Sequence, residues 1–130
     1  MSDHGAQRHR ARERALEILY EADRKGRVPS AVVAALNVVP DPYTVALLAA
    51  AEAHRDEIEE LISRHVEGWT LERLAVVDRL VLTMALAELR LPEPPPRAVV
   101  FDEAVELAKT YSTESSGSFV NGVLSACVLE

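Results

Sequence analysis

Residues 71 to 91, LERLAVVDRLVLTMALAELRL, decide the fold. Apolar side chains cover this segment on nearly every side, and a helix of that kind must be wrapped by others. Asp78 and Arg79 interrupt it, and no apolar run in the chain approaches the roughly 20 residues that a membrane span needs. The segment is therefore expected to be the central, most buried helix of a water-exposed body. Thr70 is the expected N-cap. Arg73 occupies the position where a capping box needs an acid or amide, so acidic help comes from Glu72 alone.

Working outward, PEPPP at 92 to 96 cannot be helical and makes a stiff connection. Helices resume at RAVVFDEAVELAKTYS (97 to 112) and, after a Ser/Gly loop TESSGS (113 to 118), at FVNGVLSACVLE (119 to 130). Upstream, Pro40 and Pro42 break the chain and start one long helix over 42 to 69, which Gly68 ends or bends. Its first half is mostly apolar, and its second is amphipathic on Ile58, Leu61, Ile62 and Val66. AVVAALNVV (31 to 39) reads as a minor helix. At the start, RHRARERALEILYEADRKG (8 to 26) places Ala11, Ala15, Ile18, Leu19 and Ala22 on one helical face, with Gly26 as C-cap. No strand-like alternation bounded by hairpin turns occurs. The reading is all-α: one compact domain over 1 to 130, a bundle of five to seven helices, with residues 1 to 7 disordered.

A chain of 130 residues with 48% hydrophobic and 27% charged residues is long enough to bury a core and is not compositionally disordered. Cys127, the only cysteine, cannot form an internal disulfide and suits a reducing cytoplasm; it is expected to be a small buried side chain. Charge is unevenly placed. Residues 1 to 27 carry seven Lys/Arg against five Asp/Glu, leaving −9 for the rest of a chain whose formal net charge is −7. A basic patch on an acidic body directs a polyanion to one place.

The sequence offers little for catalysis. His4, His9, His54 and His65 show no Glu-x-x-His or His-x-x-x-His spacing, and the last two read as surface residues. No glycine-rich phosphate loop exists, and paired acids such as Glu59 and Glu60 read as solvated. No enzyme activity, metal or cofactor is expected. The arginines remain. Arg8, Arg12, Leu16 and Tyr20 fall on one drifting stripe, while Arg10 and Arg14 project to the other side. Two of the four arginines have no acid at i+3 or i+4, and cations at a helix N-terminus oppose its dipole. Arginine forks match phosphates and stack on bases, so the patch suits a polyanion.

Three segments together, RHRARERALEILYEAD, LERLAVVDRLVLTMALAEL and FDEAVELAKTYSTESSGSFVNGVL, resemble the NusB family of bacterial transcription antitermination factors. The resemblance implies the compact all-helical NusB fold and binding of boxA-type single-stranded RNA of ribosomal RNA leaders. It also implies a partner, the small-subunit ribosomal protein acting as NusE, and a place in the complex that modifies RNA polymerase. By the same resemblance Arg8, Arg10 and Arg12, Tyr20, Ser118 and Phe119 are the expected RNA-binding residues. Asp78, with Arg79 beside it, is the expected contact for the protein partner. Ser118 and Ser115 stand where relatives carry basic and acidic residues, His9 where many carry arginine, and Val66 where some carry tyrosine. Each change implies a lost RNA contact. The alternative is a homodimeric helical interaction module without strong RNA binding of its own.

Overall fold

A computed structural model describes residues 3–66 and 74–129. Among them are seven helices: α1 (Asp3–Lys25), α2 (Pro29–Ala34), α3 (Pro42–Ala53), α4 (Arg55–Arg64), α5 (Val76–Glu88), α6 (Arg97–Tyr111) and α7 (Ser116–Val128). The expected central segment is central. α5 packs against α1, α3, α4, α6 and α7, burying Leu80, Val81, Leu82, Met84 and Leu86. Thr70 and Glu72, the expected cap, and Gly68, the expected end of the preceding helix, lie outside the described residues. None of the helices is long and apolar enough to cross a membrane, among the described residues.

Local chemistry sets most boundaries. α1 stops at Gly26, whose φ of +62° admits the left-handed turn; Gly26 N–H bonds to Asp23 O and Arg27 N–H to Ala22 O. Pro42 opens α3 behind Asp41, whose Oδ1 accepts from Tyr43 N–H at 2.7 Å. Thr44 Oγ1 then donates to Ala11 O at 2.9 Å, fixing α3 against α1.

Four expectations need correction. Residues 3 to 7, expected to be disordered with 1 and 2, extend α1, and Gln7 Nε2 donates to Asp41 Oδ2 at 2.9 Å. The long helix from Pro42 is two helices, broken at His54, whose φ/ψ of −108°/17° leave the helical region. Neither glycine nor proline marks that break. α3 packs on α1, α2 and α5 while α4 packs on α5 and α7, and one straight rod does not follow both surfaces. The minor helix sits at 29 to 34, with Val38 and Val39 exposed beyond it.

The fourth correction concerns the Ser/Gly loop. Ser116, Gly117 and Ser118 are the first residues of α7. Gly117 is buried against α6, where a Cβ would stand 2.8 Å from Lys109 Cε and 3.2 Å from Val105 Cγ1. The close helix crossing falls here. Gly122, in the same helix, is exposed, and a Cβ placed there would meet nothing within 4 Å.

Candidate nucleic-acid interface

The arginines of α1 divide by depth. Arg12 is 3% exposed. Its Nε lies 3.0 Å from both carboxylate oxygens of Glu88 on α5, and Nη2 lies 2.7 Å from Oε2. Tyr43 of α3 donates its phenolic hydrogen to the same carboxylate, and Glu103 of α6 stands 3.7 Å from Arg12 Nη1. Burial is the largest single influence and disfavours the Arg12 charge, but the Glu88 hydrogen bond together with the charges of Glu88 and Glu103 outweighs it, and the guanidinium is held even more firmly protonated than usual. Burial first, and the Glu88 carboxylate second, push the Tyr43 phenol up. Four helices meet on this network. Arg12 thus ties helices together: buried, with Nε and Nη2 held by Glu88 and Nη1 facing Glu103, it offers an incoming phosphate far less than the exposed arginines do, against the RNA contact expected of it.

Arg8, one turn earlier, is half-buried with its guanidinium 3.9 Å from the centroid of the Tyr43 ring. Arg10 is exposed and has no partner among the described residues. Arg14 is exposed with only a 3.4 Å contact to Glu17. Tyr20 is 42% exposed, with Arg24 6.0 Å from its ring centroid. Arg8, Arg10 and Tyr20 therefore remain open to a ligand along one helix.

Ser118 is exposed, and Phe119 is half-buried with part of its ring on the core. Phe119 lies inside α7 rather than opening it, so its placement is set by the Gly117 crossing and not by a flexible loop. Between α1 and α7 stands a residue that sequence reading missed. Tyr111, at the end of α6, is 47% exposed and donates its hydroxyl to Glu13 of α1 at 2.7 Å. That bond holds the phenol above its ordinary range. A signal for it exists in the sequence: Tyr111 falls at the helix end, four residues after the buried Leu107, where the stripe turns outward.

The expected partner contact is also rearranged. Asp78 is 9% exposed and points inward, with Oδ2 accepting from Ser116 Oγ at 3.1 Å. Ser116 in turn meets Ser112 and Thr113. Asp78 Oδ1 is buried and has no hydrogen-bond partner among the described residues. Arg79 turns the other way and bonds Asp23 at the end of α1 through Nη2 at 2.7 Å. The two residues thus do not form one docking point. Val66, expected to mark a missing contact, is buried in the core, and His9 is half-buried with Nδ1 2.7 Å from Glu103 Oε2. His54 and His65, read as surface residues, are likewise half-buried.

Known proteins share this fold over nearly the whole chain. The family model described as NusB family matches residues 9–128. The transcription antitermination protein NusB of Saccharopolyspora erythraea is 47% identical over 124 residues, 90% of this chain and 83% of that protein. A crystal form of T. maritima NusB superposes with a TM-score of 0.83 at 35% identity, covering 95% of this chain and 91% of that one. A crystal structure of antitermination factors NusB and NusE in complex with double-stranded RNA contains a chain that superposes with a TM-score of 0.79 at 34% identity, covering 94% and 96%.

Proposed function

The chain belongs to the NusB family, and on that premise we propose that it acts as a transcription antitermination factor, binding boxA-type RNA of ribosomal RNA leaders together with NusE. What carries the reading is the likeness, over nearly the whole chain, to a NusB solved with NusE and RNA. The surface supports it. Arg8 and Arg10 supply forks for phosphates, and Tyr20, Tyr111 and Phe119 offer rings for bases. The role is binding rather than catalysis, in the cytoplasm, inside the complex that modifies RNA polymerase. The partner is proposed to use the α5–α7 side, around Asp78 and Ser116.

The test is a salt titration of single-stranded boxA RNA, with and without NusE. Arg10→Gln should weaken binding and reduce the steepness of log affinity against log salt by about 0.7, the share of one phosphate contact on a single strand. Helicity and melting temperature should stay at wild-type values. An unchanged slope removes Arg10 from the interface. A wild-type chain that binds no RNA under either condition and self-associates would favour the homodimeric module instead.

A further inference from the structure

Beneath the α1 arginines a cavity of about 390 Å³ opens between the start of α1, the proline connection and the first turn of α6. Its lining has three kinds of surface. Pro95, Pro96 and Val99 make an apolar wall. The Arg8 guanidinium, stacked 3.9 Å from the Tyr43 ring centroid, makes a flat cationic one. Glu93 and Glu103 are the acids.

The carboxylates decide what enters. Arg12, which also lines the cavity, is already held by Glu88 and Glu103, so its charge is neutralised from within. A phosphate entering here would find Arg8 in its favour and the carboxylates of Glu93 and Glu103 against it. A flat, neutral group with hydrogen-bond donors fits better. Guanidinium planes stack on nucleobases as well as on tyrosine, and proline and valine give the base edge an apolar neighbour. Glu103 Oε2 already takes His9 and its Oε1 faces Arg12. Glu93 is exposed at the mouth and has no partner among the described residues, so it is the acceptor left to read a base.

We propose that this cavity is a nucleobase pocket that selects guanine from single-stranded RNA. It rests on the RNA reading above and deepens it. Among the four RNA bases only guanine presents two adjacent donors, N1–H and the N2 amino group, to both oxygens of one carboxylate. Uracil flanks its single N–H with two carbonyls that Glu93 repels. Adenine and cytosine each set a ring acceptor beside their amino group. The stack runs Tyr43, Arg8, base, and the carboxylate meets the Watson–Crick edge at the mouth.

The experiment compares a short uridine oligomer with the same oligomer carrying one guanosine, by fluorescence anisotropy at low salt. The readout is the ratio of the two affinities, because removing an acid raises both affinities alike. Wild-type protein should prefer the guanosine oligomer by roughly tenfold, as a two-bond base contact allows, and Glu93→Gln should bring the ratio to within about twofold of unity. Val99→Trp, at an exposed position on the wall, should fill the cavity and abolish the ratio without changing the fold. The Val99 methyl resonances of the wild type should move with the guanosine oligomer and stay in place with the other. Equal binding of both oligomers by the wild type, or a ratio unaltered by Glu93→Gln, overturns the pocket and leaves the RNA reading standing. No binding of either oligomer, nor of boxA RNA, at low salt with NusE present or absent overturns both.

Discussion

Arg10 and Arg12 stand two residues apart on α1, and the turn of the helix sends them into different environments. Arg10 lies in solvent with no partner among the described residues, while Arg12 lies inside, held by a carboxylate 76 positions away. The same residue type in the same short motif is exposed and proposed as a ligand contact on one side, and is a tie between helices on the other. Identity within a motif says which chemistry a side chain can perform; only depth says which one it does. The inner face joins α1 to α3, α5 and α6, and the outer face carries the cations and rings that RNA would meet.

The largest effect should come from breaking the inner face. Arg12→Gln leaves the Glu88 carboxylate buried with Tyr43 as its remaining donor, and the loss should be about 3–5 kcal/mol of unfolding free energy. Chemical denaturation measures it. The triple change Arg12→Met, Tyr43→Phe and Glu88→Leu removes the charges and their hydroxyl together, and should recover most of that stability, because a buried pair gains little over apolar packing. If Arg12→Gln instead kept its stability and flattened the RNA salt dependence, Arg12 would belong with Arg10 and the division would fail.

Phe119 straddles the two faces and sharpens the contrast. A fully buried phenylalanine costs about 3–5 kcal/mol on truncation to alanine. Phe119 is only half-buried, so Phe119→Ala should cost roughly 1–2 kcal/mol of stability, the value of a partly covered ring. RNA binding should weaken separately by about 1–3 kcal/mol if a base stacks on the open face. Measuring both on one variant separates them: a stability loss in the full core range with unchanged RNA affinity would make Phe119 an inner residue.

What sequence could convey follows the same division. The apolar run of α5, the Gly26 stop and the Pro42 start are local signals, and each is readable because its cause lies within a few residues. Arg12, Asp78 and the break at His54 are not. Arg12 is buried because Glu88 and Tyr43 arrive from other helices, and Asp78 turns inward because Ser116, 38 positions on, supplies a hydroxyl. Nothing near either residue announces this. Ser116 to Ser118 read as a loop because serine and glycine are weak helix formers, yet tight packing of Gly117 on α6 overrides that preference. On the outer face, Arg10, Tyr20 and Ser118 are exposed and need no distant partner to explain them, whereas Arg8 is half-buried on the Tyr43 ring of another helix.

His9 supplies the smallest effect, set between the faces. Its Nδ1 lies 2.7 Å from Glu103 Oε2 on α6, and its Nε2 lies 3.7 Å from Glu13 Oε1 on its own helix. The Glu103 hydrogen bond raises the imidazole above 6.5, burial opposes that, and the charges of Glu103, Glu13 and Glu106 add to it. Arg12, beside it, is the opposing charge, largely neutralised by Glu88. A group that binds its proton more tightly when folded stabilises the fold below its unfolded value and loses that contribution as pH rises through the folded one. Stability should therefore fall slightly between pH about 6.5 and the folded midpoint, by roughly 0.2–1 kcal/mol for a partly exposed pair. His9→Gln should remove that slope. The ring-proton resonance of His9 should titrate with a midpoint above 6.5 in the wild type and lower in Glu103→Gln. A wild-type midpoint below 6.5 would mean that burial outweighs Glu103, and would move His9 from the boundary to the inner face with Arg12.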